Sequence, residues 1–181
     1  FFEQGKAAER FVRNETLFAE LVEAAQKSDG MFAVGGNAAL IAQRVSTMSG
    51  MKSEVLLGGI VMERLRGLLG YALDIIGPHE VKNDQIHLIV EYKTGDQLFG
   101  IKATRSNRFI VSADTANANL VAAEPFFKRL LTWKPNLIIL SGLHLLDGVS
   151  ERATRRKHLR HVRKLLQEVR AKHPEAPVHF E

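Results

Sequence analysis

The first third of the chain alternates apolar segments with glycine turns, and this pattern predicts a mixed α/β fold. Apolar residues three or four apart over 3–26 favour an amphipathic helix. The apolar run 31–34 predicts a short buried strand, and 38–48, rich in Ala, Leu and Ile, predicts a second helix. A strand over 54–57 and a helix over 61–69 repeat this order. Two successive strand–turn–helix units indicate a parallel sheet with right-handed crossovers.

The middle of the chain has the pattern of a small antiparallel sheet. Segments 85–92, 97–103 and 108–112 alternate or run apolar, and turn signals such as Lys-Thr-Gly-Asp separate them. They predict a meander of three short strands, and we expect a β-rich lid mainly around 84–112.

The last third returns to the helical pattern. Aromatic and leucine residues over 126–133 predict a helix, and the apolar run 137–140 predicts a strand. The basic segment 151–173 predicts a long amphipathic helix, and 178–181 a final strand. The expected core-facing stripe of the long helix consists of Leu159, Val162, Leu165, Leu166 and Val169.

Together these elements predict α/β core segments at 31–70 and 126–181 that flank the β insert. A β excursion of this kind inside a parallel α/β sheet is a common way to build a lid over a small-ligand site. The fold class expected from the pattern is therefore α/β with a small β-rich lid.

Composition excludes several classes of protein. The 181 residues are 45% hydrophobic, with a mean hydropathy of −0.08, which suits one sizeable core rather than a membrane bundle. No apolar run approaches the roughly 20 residues that a membrane-spanning helix requires. Because the sequence contains no cysteine, disulfides, zinc ribbons and cysteine nucleophiles are excluded for these residues.

The net charge of +5 is concentrated in one predicted helix. Segment 151–173 contains nine Lys or Arg and two Glu, a net charge of +7, so the remaining residues sum to −2. Basicity confined to one helix produces a local patch and not a general surface for polyanions. A solvated outer helix face is the main interpretation, and an anion- or nucleic-acid-binding module is the alternative.

Gly35-Gly36-Asn37 stands between a predicted strand and a predicted helix. Two glycines allow the backbone to approach a ligand closely, and Asn37 occupies the expected N-cap position, with an amide available for a hydroxyl group. Leu40 stands where a dinucleotide fingerprint requires its third glycine, and no Walker A lysine follows. The pattern disfavours an oxidoreductase of that class; a tight turn before a capped helix remains the alternative.

Charged residues in the meander are further candidates. Glu91 closes an otherwise apolar strand, and its carboxylate suits a pair of sugar hydroxyls, although an exposed glutamate before such a turn is usually just solvated. Arg108 lies in the predicted turn before the third strand and could present a cation to a phosphate. A plain surface arginine is the alternative interpretation.

The ends of the last two predicted strands complete the candidates. Ligands of open α/β sheets bind at the carboxyl ends of the strands. His179 and Glu181 lie at one such end, where a carboxylate could hold Mg²⁺ or its water. His144, in Ser-Gly-Leu-His after the strand 137–140, could donate a hydrogen bond to a ligand oxygen or be structural.

Five motifs in this order resemble the ADP-dependent glucokinase family of the ribokinase-like superfamily, in its animal form. The motifs are Val-Gly-Gly-Asn-Ala-Ala-Leu at 34–40, Leu-Ile-Val-Glu-Tyr at 88–92, Ser-Asn-Arg-Phe-Ile at 106–110, Leu-Ser-Gly-Leu-His at 140–144 and Val-His-Phe-Glu at 178–181. The resemblance implies a three-layer α/β/α fold with a small β lid. It also implies transfer of the β-phosphoryl group of ADP to the 6-hydroxyl of D-glucose, with AMP as the second product.

The resemblance also implies roles for individual residues. Gly35, Gly36, Asn37 and Glu91 would contact glucose, with His144 as a further substrate-binding residue and Arg108 on phosphate. Glu181 would belong to the Mg²⁺ network, with His179 beside it. The implied partners are glucose and ADP, with no nucleic acid, in a monomer associated with the endoplasmic reticulum or secretory pathway.

Two family motifs are missing from these residues. Neither Asn-X-X-Glu nor the late Gly-X-Gly-Asp that supplies the catalytic base and anion hole is present. We therefore expect the chain to be truncated at both ends, the base to lie beyond Glu181, and these 181 residues to be inactive alone. Another ribokinase-like sugar kinase is the alternative function.

Overall fold

The computed structural model describes residues 1–48, 53–70, 73–78, 80–81 and 85–181. Positions 49–52 and 84, within the predicted core and lid ranges, lie outside the described residues. The elements, in chain order, are β1 (Ala8–Phe11), α1 (Glu15–Lys27), α2 (Asn37–Ser46), β2 (Leu56–Gly58), α3 (Glu63–Leu69), β3 (Asp74–Ile76), β4 (His87–Tyr92), β5 (Gln97–Leu98), β6 (Ile101–Lys102), β7 (Asn107–Ser112), α4 (Thr115–Ala118), α5 (Ala123–Leu130), β8 (Ile138–Leu140), a 3-10 helix (Leu143–Gly148), α6 (Arg152–Lys172) and β9 (Val178–Phe180).

These elements form two compact units. The first unit contains Phe1–Phe32 and Ile86–Asp114, and the second contains Ala33–Gln85 and Thr115–Glu181. The predicted mixed α/β class is confirmed. Among the described residues, the strands form one three-stranded sheet and three two-stranded sheets.

The first unit is built around β7. This strand pairs with β1 in parallel and with β4 in antiparallel orientation, while β5 and β6 form a separate two-stranded hairpin. β4 and β7 correspond to the first and third predicted strands, and they pair directly with each other, whereas a meander would place the second predicted strand between them. The prediction that all three lid strands form one meander is wrong, because the two-residue strands β5 and β6 pair only with each other among the described strands.

Two sequence predictions near the start of the chain are corrected. The predicted helix over 3–26 is replaced in its first part by β1, because residues 8–11 pair with β7 in register from Ala8–Phe109 to Phe11–Ser112. Helix α1 begins only after Asn14, whose side-chain oxygen accepts from the Leu17 N–H at 3.0 Å. The predicted strand 31–34 is absent; Met31 is 94% exposed, and Val34 packs against the core cluster of Ala42, Leu57, Leu69 and Leu73 from an irregular segment.

The second unit contains two parallel strand pairs, β2 with β3 and β8 with β9. Helix α5 packs on α6 and on β2 and β3. Strand β3 and the short helix α4 were not predicted. The main apolar core lies between α5, α6 and β8 and consists of Phe127, Leu130, Ile138, Val162, Leu165, Val169 and Ala176.

Helix α6 confirms most of the predicted stripe. Val162, Leu165 and Val169 are buried and Leu166 packs against the same core, whereas Leu159 is 46% exposed and does not belong to the stripe. The basic residues of this helix are mostly exposed. None of the helices among the described residues is both long and apolar enough to cross a lipid bilayer.

An ion cluster connects α5 and α6 on the outside of this core. Lys128 Nζ lies 2.6 Å from Glu124 Oε1 on the same helix, and His161 Nε2 of α6 lies 3.7 Å from Glu124 Oε2. The hydrogen bond from Lys128, followed by the charge of this lysine and the proximity of His161, lowers the pKa of Glu124.

Candidate functional site

The carboxyl ends of β8 and β9 bring Ser141 and Glu181 together. The strands are parallel, with Leu140 opposite Phe180, and the Glu181 N–H extends the ladder by donating to the Leu140 carbonyl at 3.0 Å. The residue after each strand therefore lies at the same edge. Ser141 Oγ donates to Glu181 Oε2 at 2.9 Å.

Asn37 reaches the same carboxylate from the start of α2. Its Nδ2 donates to Glu181 Oε1, so the two oxygens of one carboxylate accept from two separate elements. A carboxylate oxygen has two acceptor positions, so each oxygen retains capacity for a further ligand. The cluster of Asn37, Ser141 and Glu181 is exposed to partly buried, which leaves it accessible from solvent.

The glycine turn before α2 differs from the prediction in one detail. Gly36 is the N-cap, with φ +78°, and Asn37 is the first helical residue, so the expected N-cap role of Asn37 is wrong. Because its amide is not used to cap the helix, it can bond Glu181. A Cβ added to Gly35 or Gly36 would meet no atom within 4 Å, so the space beside this turn is open.

The two histidines predicted near this edge do not join the hydrogen-bonded cluster. His144 lies in the 3-10 helix and is exposed, and His179 is an exposed residue of β9. Neither side chain makes a hydrogen bond or ion pair with another described residue. Within the described ranges, no group of three or more His, Asp or Glu residues could hold a metal ion by itself.

Glu91 and Arg108 lie in the first unit, on neighbouring strands. They are directly opposite in the β4–β7 register, and both side chains are exposed. Arg108 is the second residue of β7, which agrees with the predicted strand 108–112 and not with a position in the preceding turn. The strand begins one residue earlier than predicted because Asn107 pairs with Tyr92.

A second polar network lies in the first unit and was not predicted. His87 Nδ1 is 2.7 Å from Ser112 Oγ and its Nε2 is 3.1 Å from Asp114 Oδ2, while Ser112 Oγ donates to Glu9 Oε1 at 2.6 Å. Serine, histidine and aspartate here resemble a nucleophilic triad in type only. Ser112 is fully buried and therefore closed to substrate, so the network connects β1, β4 and β7 structurally.

Ser141 is the site residue that the sequence analysis missed. The motif Ser-Gly-Leu-His suggested His144, yet the serine makes the contact because it directly follows β8. The position of Ser141 in the sequence could have predicted its role, because the first polar residue after an apolar parallel strand reaches the edge where ligands bind.

Comparison with known proteins identifies the family. The model of the ADP-specific phosphofructokinase/glucokinase conserved region matches residues 1–181. The chain belongs to this family, whose name describes ADP-specific kinases of sugars and sugar phosphates.

Among curated relatives, a probable ADP-dependent glucokinase of Caenorhabditis elegans is 34% identical over 182 residues, covering 100% of this chain and 35% of its own length. The ADP-dependent glucokinase of Bos taurus is 37% identical over 161 residues, which are 88% of this chain and 32% of that protein. An ADP-dependent glucose/glucosamine kinase of Pyrococcus furiosus is 40% identical over 77 residues. The chain thus spans about a third of the length of the two animal relatives.

Proposed function

We propose that the protein containing this chain is an ADP-dependent glucokinase, which transfers the β-phosphoryl group of ADP to the 6-hydroxyl of D-glucose. Membership of the family and the names of the animal relatives support this reaction class. We also propose the ribokinase-like three-layer arrangement for the complete fold, in a monomeric protein of the endoplasmic reticulum or secretory pathway.

One observation carries the assignment of the sugar site. Asn37 meets Glu181 and Ser141 at the carboxyl ends of two parallel strands, beside a glycine turn with open space. A hexose presents hydroxyl groups that both donate and accept, and amide and carboxylate groups satisfy both functions. Gly35, Gly36 and Asn37 are the proposed sugar-binding residues of this unit, with His144 as a further candidate.

The donor set at Glu181 fits Mg²⁺ in part. Mg²⁺ is commonly bound through one or two carboxylates together with substrate phosphates, and it keeps several waters. Glu181 offers one exposed carboxylate with acceptor capacity on each oxygen, and His179 stands two residues before it. When bound, the ion would neutralise charge on the phosphate oxygens. We therefore propose that Glu181, assisted by His179, contacts Mg²⁺.

The residues of the first unit keep their proposed roles on chemical grounds. The Glu91 carboxylate would accept from sugar hydroxyls, and the Arg108 guanidinium would bind a phosphate group. Glu91→Gln should then raise the KM for glucose, and Arg108→Ala the KM for ADP. If neither constant moves, the proposed roles of these two residues are wrong.

A coupled assay of the full-length protein tests the reaction itself. Glucose and ADP with Mg²⁺ should give equal amounts of glucose 6-phosphate and AMP, measured by enzymatic coupling and by separation of the nucleotides. Phosphorylation with ATP but not with ADP would contradict the proposal and place the protein with another sugar kinase branch.

Substitution of Asn37 tests the sugar site. Asn37→Ala leaves sugar hydroxyls without partners, and we expect the KM for glucose to rise about 10-fold or more. Asn136→Ala is the matched control, because this exposed asparagine lies on the loop before β8. An equal effect of both substitutions would remove Asn37 from the site.

A further inference from the structure

We propose that Ser141 is a positioning residue of the sugar site, which acts through Glu181 on the side-chain amide of Asn37. This inference rests on the proposed function, because it assigns the orientation in which Asn37 meets a sugar hydroxyl. Ser141 itself need not touch the ligand.

The backbone of the strand pair fixes the distance between Ser141 and Glu181. The Glu181 N–H is bonded to the Leu140 carbonyl at 3.0 Å, so the residue after β9 is held beside the residue after β8. The serine Oγ then spans the remaining gap to Glu181 Oε2 at 2.9 Å. This contact restricts the carboxylate of an otherwise exposed glutamate to one orientation.

The carboxylate in turn determines which end of the Asn37 amide faces it. An ionised carboxylate only accepts hydrogen bonds, so the group opposite Glu181 Oε1 must be the NH₂ group. Asn37 Oδ1 is then left as an acceptor, and one N–H remains as a donor. This combination recognises a hydroxyl group, which donates through its hydrogen and accepts through its oxygen.

Loss of the serine hydroxyl should release this arrangement. In Ser141→Ala, Glu181 Oε2 loses its protein donor, and the glutamate side chain regains rotamers that do not meet Asn37. The Asn37 amide can then turn its NH₂ group toward the ligand position. A partly exposed hydrogen bond of this type corresponds to about a 2- to 10-fold effect on glucose affinity.

The kinetic test uses the full-length protein and five variants, one of which is Asn37→Ala. We expect Ser141→Ala to raise the KM for glucose about 2- to 10-fold. Ser141→Thr keeps the hydroxyl and should restore the wild-type KM. The double variant Asn37→Ala/Ser141→Ala should match Asn37→Ala alone, because the serine acts through the asparagine. Ser150→Ala, at an exposed serine, is the control.

A stability measurement decides the inference independently of activity. Thermal unfolding of Ser141→Ala, Glu181→Gln and the double variant measures the energetic coupling of the two side chains. A non-additive shift in Tm supports the inference, and additive shifts overturn it. An unchanged glucose KM in Ser141→Ala, or equal effects of alanine and threonine, also overturns it. Failure of wild-type protein to phosphorylate glucose with ADP instead refutes the proposed function.

Discussion

Replacement of Gly35 by alanine separates the folding role of the glycine turn from its proposed role in binding. The φ angle of Gly35 lies outside the left-handed region, and an added Cβ would meet no protein atom within 4 Å. The methyl group therefore causes neither backbone strain nor a clash within the protein. We expect the free energy of unfolding to change by less than about 0.5 kcal/mol.

The same methyl group occupies the space in which the sugar is proposed to lie. Overpacking of a filled site by one methyl group costs about 1–3 kcal/mol, which corresponds to about a 5- to 150-fold loss of affinity. Isothermal titration of glucose into full-length wild-type and Gly35→Ala protein measures this loss directly. Chemical denaturation of the same two preparations measures their stability.

Two controls make the Gly35 experiment decisive. Gly36→Ala should lower both stability and affinity, because Gly36 has φ +78°, a conformation that costs other residues roughly 1–2 kcal/mol. Gly67→Ala, whose Cβ also meets open space, should leave glucose affinity unchanged. Wild-type affinity in Gly35→Ala would refute the reasoning, because the open space beside the turn would then not be the sugar position.

The remaining predictions concern stability. Gly77→Ala should lower the free energy of unfolding by about 1–3 kcal/mol, because its Cβ would stand 2.2 Å from a backbone carbonyl oxygen. Gly67→Ala, within α3, should raise the free energy of unfolding by about 0.5–1 kcal/mol in the same denaturation assay. Val169→Ala removes two methyl groups at a fully buried position and should cost about 1.5–3 kcal/mol; equal stability would contradict its place in the core. Lys128 lowers the pKa of Glu124, so this carboxylate stabilises the fold above its ordinary pKa of 4.5 and loses that contribution as the pH falls through the lowered pKa. The difference in Tm between wild type and Glu124→Gln should therefore shrink below pH 4.5, and a constant difference would argue against the ion pair.

Local pattern predicted the long helices but not the strand at the start of the chain. Helix α6 spans 21 residues and has apolar residues at helical spacing, a pattern that a strand does not produce. Residues 8–11 carry only one strongly apolar side chain, Phe11, and suit a helix or a strand equally. They form β1 because β7, about 100 positions later, offers an edge for pairing. No local signal contains that information.

The site was predictable where it depended on the ends of elements. Glu181 was chosen because ligands of open α/β sheets bind at the carboxyl ends of the strands, and the glycine turn because glycines let the backbone approach a ligand closely. The partner of the Glu181 carboxylate was not predictable, since Ser141 contacts it across 40 positions of sequence. The N-cap was assigned to Asn37 from its residue type, whereas Gly36 takes it through a positive φ that only the backbone path reveals.

The pairing of β1 with β7 has a consequence for synthesis on the ribosome. The chain emerges from its amino end, yet β1 gains its parallel neighbour only after about 100 further residues have been translated. At roughly 5–20 residues per second, this interval lasts about 5–20 s. During that time the nascent strand exposes unpaired amide groups, so chaperones that bind extended peptides have a defined period in which to protect it.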